Sequence, residues 1–182
     1  MTRRTFEEFV RALLSGLNAS RLTYAITGAT AASYYGTPRT TADVDFIVRV
    51  SSKDLQKFFR ALQLSDLKFD PEKIKGRLKI EYNIISLQDK RSPYTADFIA
   101  QRGRIPRLKG SLLGLPAYYQ TPETLIVAKL RMIKATLPPE RSIKDKNDIL
   151  AILANTRVDL RRIERLARKD NTFEIFRTIR LG

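Results

Sequence analysis

The apolar residues of this 182-residue chain change repeatedly between helical and strand spacing, and this alternation limits the possible fold more than any other feature. Residues 5–17 place apolar side chains every three or four positions, which predicts an amphipathic helix. Residues 22–27 and 44–50 are short apolar runs typical of strands, and a short helix is predicted between them after Gly28. Residues 55–62 return to helical spacing, with a capping-box-like start just before them.

Strand-like sequence dominates the next part of the chain. Residues 78–87 and 94–100 are two such runs, and the polar segment between them predicts a hairpin. Tyr118 and Tyr119 indicate one further short strand.

The last third of the chain has only helical patterns. Thr121, Pro122 and Glu123 combine a capping residue, a proline at the first helical position and an acid in the first turn. Helical spacing then continues over residues 143–180. We therefore predict an α+β fold in which residues 1–120 form a small mixed β-sheet flanked by helices, and residues 121–182 form a helical region.

Composition excludes several kinds of chemistry. The chain has no Cys and no His, which removes thiolate nucleophiles, imidazole bases and His or Cys metal sites. Its 34 Lys and Arg residues against 19 acidic ones give a net charge of +15, which favours polyanionic partners. The sequence contains neither a signal peptide nor an apolar stretch long enough to span a membrane, so we expect a cytoplasmic protein without a membrane partner.

Three aspartates are candidate metal ligands. Asp43 and Asp45 are two residues apart at the start of a strand, so their carboxylates lie on one face, although a solvated pair is the plain alternative. Asp97 lies inside an apolar strand, where an unpaired charge is costly. Oxygen ligands of this kind suit two Mg²⁺ or Mn²⁺ ions that also bind a phosphate. Asp89 is an alternative third carboxylate, but its polar turn favours a solvated residue.

The Gly28 turn is a candidate phosphate site. Gly28 precedes a helix start, where backbone N–H groups and the positive end of the helix dipole attract anions. Arg39, four residues before Asp43, is either a triphosphate-binding cation or a solvated loop charge.

Together these segments resemble minimal nucleotidyltransferases of the DNA polymerase β superfamily. The segments Ile26-Thr-Gly-Ala-Thr30 and Asp43-Val-Asp45 are similar to the Gly-Gly or Gly-Ser turn and Asp-x-Asp of that superfamily. Downstream, Tyr94-Thr-Ala-Asp97, Thr121-Pro-Glu123-x-Leu-Ile-x-x-Lys129 and Lys144-Asp145-x-x-Asp148 resemble the later motifs of its AbiEii/AbiGii-toxin-like branch.

The resemblance implies transfer of a nucleoside monophosphate from an NTP such as ATP, with release of pyrophosphate. It implies that Asp43, Asp45 and Asp97 are catalytic and hold two Mg²⁺ or Mn²⁺ ions. Candidate nucleotide-binding positions are Thr27, Gly28, Ala29, Thr30, Arg39, Lys129, Asp145 and Asp148. Ala29 departs from the pattern, so Thr27 or Thr30 must supply any hydroxyl contact to the phosphates. Lys129 has a plainer interpretation as a helix residue with an exposed tip, and Asp145 and Asp148 as ordinary ion-pair partners.

Basic residues cluster in two further places. Arg102, Arg104 and Arg107 follow the Asp97 strand in a stretch without acids, and we expect them to bind an RNA or acidic protein acceptor. Arg161, Arg165 and Arg168 lie on one helical face, for which a solvated surface is the favoured interpretation.

Three functions compete. The leading hypothesis is a metal-dependent nucleotidyltransferase acting on RNA, tRNA or a protein hydroxyl in a toxin–antitoxin or phage-defence system. The alternative is a weakly active or inactive binding module that forms one half of a toxin–antitoxin pair. Modification of a small cationic antibiotic is disfavoured, because it requires an acidic acceptor pocket.

Overall fold

The computed structural model describes residues 3–79, 84–137 and 142–181. In chain order its elements are α1 (Phe6–Ala19), β1 (Tyr24–Ile26), α2 (Gly28–Tyr35), β2 (Asp43–Arg49), α3 (Leu55–Leu64), α4 (Pro71–Arg77), β3 (Ile84–Gln88), β4 (Thr95–Gln101), β5 (Arg107–Leu112), β6 (Leu115–Gln120), α5 (Pro122–Ala135), α6 (Ile143–Asn155), α7 (Leu160–Lys169) and α8 (Phe173–Leu181).

The six strands form one mixed sheet in the order β3-β4-β2-β1-β6-β5. Strand β2 is parallel to β4 and antiparallel to β1, whereas β3 is antiparallel to β4 and β1 is parallel to β6. A six-stranded mixed sheet with helices confirms the predicted α+β fold class.

The chain divides into two compact units. The first unit contains residues 1–27 and 41–119, and the second contains residues 28–40 and 120–182. The carboxyl end of the first unit thus lies next to the boundary predicted near residue 120. Residues 28–40 belong to the second unit despite their early position in the chain.

The core of the first unit lies on one face of the sheet. Strand β2 alternates between buried and half-buried residues, and Phe46 on its buried face stacks on Phe98 of β4 with ring centroids 5.5 Å apart. Phe58 of α3 contacts Phe98 edge-on at 5.4 Å, so α3 covers this face. The half-buried positions of β2 and β4 project from the other face.

Helix α1 begins with a complete capping box. The Thr5 hydroxyl accepts a hydrogen bond from the Glu8 N–H, and the Glu8 carboxylate accepts one from the Thr5 N–H. A helix predicted over residues 5–17 is therefore confirmed. Helix α1 packs closely on α3, since a Cβ at Gly16 would lie 2.8 Å from the Ala61 carbonyl oxygen.

In the second unit, α2 packs against α5 and α6. A Cβ at Gly36 would lie 2.9 Å from the Ala151 Cβ, so the end of α2 needs glycine to approach α6. The Thr156 hydroxyl donates to the Tyr35 carbonyl at 2.6 Å and closes the same contact.

Two parts of the secondary structure differ from the sequence expectation. The strand expected from residue 78 is wrong at its start, because helix α4 ends at Arg77 with Leu78 as its C-cap, and β3 begins at Ile84; residues 80–83 lie outside the described residues. Helix α4 itself was not predicted, although its Asp70 cap and Pro71 at the first helical position are usual start signals.

The short strand expected at Tyr118 and Tyr119 is part of a hairpin formed by β5 and β6. Leu113 and Gly114, which join the two strands, both have positive φ angles, of 52° and 76°. Two consecutive left-handed residues suit a tight turn between twisted strands.

Candidate active site

Asp45 and Asp97 are register partners on the neighbouring parallel strands β2 and β4. Phe46 and Phe98, the next residue on each strand, are buried, so the two aspartates project from the opposite, half-buried face. Neighbouring strands are about 4.8 Å apart, which brings these two like charges close together. The arrangement favours a cation near both carboxylates, because adjacent like charges repel.

Asp43 lies two residues before Asp45 on the same face of β2. Its carboxylate accepts a short hydrogen bond from the Thr41 hydroxyl. The Asp97 carboxylate forms neither a hydrogen bond nor an ion pair with any residue in the described parts of the chain. Its negative charge is therefore not balanced by a described side chain.

Asp43, Asp45 and Asp97 have the donor chemistry that a divalent cation requires, but not all of the geometry. Their oxygen donors are those that Mg²⁺ and Mn²⁺ prefer, and Asp45 and Asp97 are neighbours in register. Across residues 3–79, 84–137 and 142–181, however, no cluster of three or more acidic side chains has metal-binding geometry. A divalent ion at this face would thus be held by the Asp45 and Asp97 carboxylates, whereas the Asp43 carboxylate accepts its hydrogen bond from Thr41.

The predicted phosphate turn is the start of helix α2. Gly28 has a φ angle of 59°, a left-handed conformation that glycine adopts without strain. Ala29 is buried and Thr30 is half-buried, so neither side chain is prominent at the surface. Thr27 directly follows β1, and its N–H donates to the Asp45 carbonyl at 2.9 Å, which extends the pairing of β1 with β2.

Four other candidate nucleotide-binding residues form one ion-pair cluster in the second unit. Asp148 accepts hydrogen bonds from Nε and Nη2 of Arg39 at 3.0 and 3.1 Å. The Lys129 Nζ lies 2.6 Å from Asp148 and 2.9 Å from Asp145. The solvent-exposed tip expected as the plainer interpretation of Lys129 is wrong, since this residue is only 5% exposed.

The three candidate acceptor-binding arginines have different surroundings. Arg102 and Arg104 are exposed in the segment between β4 and β5. Arg107 is half-buried on β5, at the edge of the sheet opposite β3. Its guanidinium donates to the Tyr24 carbonyl at 2.8 Å and lies 3.9 Å from the Tyr118 ring centroid. Arg107 thus has a clear structural function in joining β5 to β1 and β6.

Asp89 is buried, and the expectation of a solvated turn residue is wrong. Its carboxylate lies 2.7 Å from Nη1 of Arg4 and accepts the Ser92 hydroxyl at 2.6 Å. The side chain of Asp89 is completely inaccessible to solvent, and Arg4 balances its charge. These contacts give Asp89 a structural function.

Sequence reasoning missed three polar neighbours of the aspartates. Thr41 contacts Asp43, while register pairing places Thr95 opposite Asp43 and Ser86 opposite Asp97. The spacing Thr-x-Asp and the alternation along β4 were available signals for Thr41 and Thr95. Ser86 needed the register of β3, which is a tertiary property.

The described part of the chain has no helix with the length and apolar character needed to cross a membrane. No protein-family model matches the sequence, and no curated protein matches it.

Solved structures nevertheless share the fold. The solution structure of the antibiotic-resistance factor ANT(2'')-Ia aligns with a TM-score of 0.64 and 11% identity, over 93% of this chain and 90% of that chain. Its crystal structure in complex with adenylyl-2''-tobramycin aligns with a TM-score of 0.59 and 11% identity, over 88% of this chain and 93% of that chain. An antigenic nucleotidyltransferase-like protein from Paracoccidioides brasiliensis aligns with a TM-score of 0.57 and 12% identity, over 96% of this chain and 95% of that chain. The chain therefore has the nucleotidyltransferase fold.

Proposed function

We propose that this protein is a metal-dependent nucleotidyltransferase that moves a nucleoside monophosphate from an NTP to a hydroxyl of a macromolecule. The observation that carries the proposal is the register pairing of Asp45 with Asp97 on the half-buried face of a nucleotidyltransferase-fold sheet. Two carboxylates side by side with no described cation on Asp97 are unfavourable for stability alone, so their placement supports a functional reason.

In the proposed reaction the acceptor oxygen bonds to the α-phosphorus of the NTP. The bond from that phosphorus to the oxygen bridging the β-phosphate breaks, and pyrophosphate leaves. Asp97 takes the proton of the acceptor hydroxyl. Asp43 and Asp45, together with Asp97, would hold the divalent cations, which would help to orient the reacting phosphate. Mg²⁺ or Mn²⁺ at these carboxylates would supply charge neutralisation for the phosphates.

The NTP is assigned to the α2 turn and the Arg39 cluster. The first backbone N–H groups of α2 are suited to phosphate oxygens, and Gly28 lets the chain turn there. Asp148 fixes Arg39, whose side chain stays 34% exposed and so remains accessible to an anion. Asp145 and Asp148 orient Lys129 in the same cluster.

A macromolecular acceptor is supported by charge. With +15 overall, the protein attracts polyanions, and Arg102 and Arg104 are exposed directly after the Asp97 strand. An acceptor of this type, with a cognate toxin or antitoxin as partner, agrees with the resemblance to the AbiEii/AbiGii-toxin-like branch. The proposed acceptor differs from that of ANT(2'')-Ia, whose crystal structure contains adenylyl-2''-tobramycin.

A second candidate is a binding module with weak or no transfer activity. Ala29 replaces the usual Gly or Ser of the phosphate turn, and the two cations Arg39 and Lys129 are already paired with aspartates. Nucleotide binding would then be weak, and the basic surface would act by binding a partner.

Incubation with each α-³²P-labelled NTP, Mg²⁺ or Mn²⁺, and total RNA or cell lysate tests the proposal. We expect label on an RNA or protein band with the native chain. The Asp43→Asn and Asp45→Asn variants should fold normally and give none, whereas Glu72→Gln, an exposed acid on α4, should label as the native chain does.

A parallel reaction contains tobramycin as the acceptor. Label on tobramycin alone would replace the macromolecular acceptor with a small cationic one. Label that persists in both aspartate variants would overturn the site assignment, and no label with any NTP would favour the binding module.

A further inference from the structure

The solvent-exposed side of helix α7 carries a row of cations, which we call the α7 row: Arg161, Arg165 and Arg168, with Arg162 and Lys169 beside them. Ile163 and Ala167 on the opposite side of the helix are fully buried, which fixes the direction in which the row faces. From Arg161 to Arg168 the row is about 10 Å long, at about 1.5 Å per residue.

The α7 row has no acidic partner in the described part of the chain, because the acids around it have other contacts. Asp159 caps the helix at the Arg162 N–H, and Asp170 accepts Nε of Arg131 at 2.6 Å. Glu164 pairs with Arg180 at 3.2 Å, and Glu174 pairs with Arg177 at 2.8 Å. The charges of the row are therefore uncompensated by described residues.

This arrangement is unfavourable for the helix itself. Arg161 and Arg165, and Arg165 and Lys169, are like charges four residues apart, and such pairs destabilise a helix. Arg161 and Arg162 also lie at the positive end of the helix dipole, where the Asp159 cap offsets their two charges only in part. An anionic partner would remove both penalties.

We propose that the α7 row binds the phosphate backbone of RNA. Arginine predominates in the row, and its guanidinium forms two parallel hydrogen bonds to phosphate. No exposed aromatic or large aliphatic residue lies between Arg161, Arg165 and Arg168, although protein interfaces depend on such apolar anchors. Arg168 stacks at 3.5 Å on the Phe173 ring, which orders the side chain and leaves its donors accessible.

The choice of RNA rests on the proposed function, since an acceptor hydroxyl is required and RNA carries a 2′-hydroxyl on every nucleotide. The helix offers no Asn or Gln for reading base edges. Binding through α7 should consequently be independent of base sequence and strongly dependent on salt.

The test compares two triple variants that lose the same charge. One is Arg161→Gln/Arg165→Gln/Arg168→Gln, and the matched control is Lys53→Gln/Lys57→Gln/Arg60→Gln, which removes three exposed cations at α3. The probe is a fluorescein-labelled single-stranded RNA of about 20 nucleotides, followed by anisotropy over a range of salt concentrations. Circular dichroism confirms that each variant is folded.

We expect the α7 variant to bind at least about tenfold more weakly near 0.1 M salt. The slope of log K against log salt should fall by about 2, at about 0.7 per lost phosphate contact, while the control stays within about twofold. The double variant Arg161→Gln/Arg165→Gln keeps the stack on Phe173 and should lower the slope by about 1.4. Equal losses in both triple variants, or an unchanged α7 variant, would overturn the proposal.

Two further measurements separate the explanations. Polyglutamate and unlabelled RNA are compared as competitors of the RNA probe at equal concentrations of negative charge. If polyglutamate displaces the probe at the lower concentration, the row binds an acidic protein instead of RNA. The Asp43→Asn variant should bind the RNA probe as tightly as the native chain, so a failure of nucleotidyl transfer leaves this binding result intact. The converse result is that the protein labels RNA in the transfer assay while the α7 triple variant binds the RNA probe as tightly as the native chain. That result would reject RNA binding by the α7 row and leave the proposed transferase function standing.

Discussion

Asp148 holds the guanidinium of Arg39 in a bidentate ion pair, with donor–acceptor distances of 3.0 and 3.1 Å. The same carboxylate lies 2.6 Å from the Lys129 Nζ, and both Asp148 and Lys129 are 5% exposed. One buried aspartate therefore balances two cations that come from α5 and from the segment after α2. Asp145 adds a second negative charge beside Lys129.

Replacing Asp148 by Asn should lower the free energy of unfolding by about 3 kcal/mol, because it leaves Lys129 buried with only Asp145 to balance it. Urea denaturation measures the change. Glu174→Gln is the control: it breaks the exposed pair with Arg177 and should shift the free energy by less than about 0.5 kcal/mol. A loss in Asp148→Asn no larger than in this control would contradict the interpretation of the cluster.

Asp97→Asn should raise the free energy of unfolding when no divalent cation is present. It removes one of two like charges that are register partners, so the free energy of unfolding in EDTA should rise by about 0.5 kcal/mol. Thermal unfolding in EDTA and in Mg²⁺ provides the measurement. Mg²⁺ should raise the Tm of the native chain by binding the folded state, and this increase should be smaller in Asp97→Asn.

Glu72→Gln again serves as the matched control, because Glu72 is an exposed acid that pairs with Lys75 on α4. Its response to Mg²⁺ should equal that of the native chain. If Asp97→Asn responds to Mg²⁺ as strongly as this control does, Asp97 is not a metal ligand.

Local sequence patterns were sufficient for most of the fold. Helix α1 is defined by its capping box and apolar spacing, and strand β2 by its alternation from Asp43 onward, so both were predictable. The polar face of β2 followed from the spacing of Asp43 and Asp45. The pairing of Asp45 with Asp97 did not, because it depends on the register of strands that are distant in sequence.

The interpretation of Asp89 shows why local polarity is an incomplete guide. Asp89 lies in a polar turn, yet Arg4, 85 residues away in the sequence, supplies the ion pair that allows its burial. Lys129 is similar, since its burial depends on Asp145 and Asp148 on another helix. In both residues the decisive partner is tertiary, and no pattern within a single segment indicates it.

The Arg4–Asp89 pair should be important for stability. Arg4→Met leaves the fully buried Asp89 carboxylate without its ion-pair partner, and we expect a loss of about 3 kcal/mol in the free energy of unfolding. Arg3→Met removes the same charge from an exposed neighbour and should change the free energy of unfolding by less than about 0.5 kcal/mol. Urea denaturation of both variants decides; equal effects would show that Arg4 acts only through net charge.

Asp54 should contribute stability that depends on pH. The Ser51 hydroxyl donates a hydrogen bond to the Asp54 carboxylate at 2.6 Å, and this bond lowers the pKa of Asp54 from its usual value of 3.8. A second hydrogen bond from the Ser51 N–H and the positive charge of nearby Arg49 lower this pKa further. A carboxylate with a lowered folded-state pKa stabilises the protein above its unfolded pKa. That contribution is lost as the pH falls through the lowered value.

Ser51→Ala should therefore cost about 1 kcal/mol at neutral pH, where the Asp54 carboxylate is ionised and the lost hydrogen bond matters most. The difference from the native chain should shrink as the pH falls below about 4, since both proteins then protonate Asp54. Urea denaturation at pH about 7 and about 2.5 measures this, with Ser52→Ala, an exposed neighbour, as the control. A Ser51→Ala deficit of equal size at both pH values would mean that the hydroxyl acts on packing and has no effect on the pKa of Asp54.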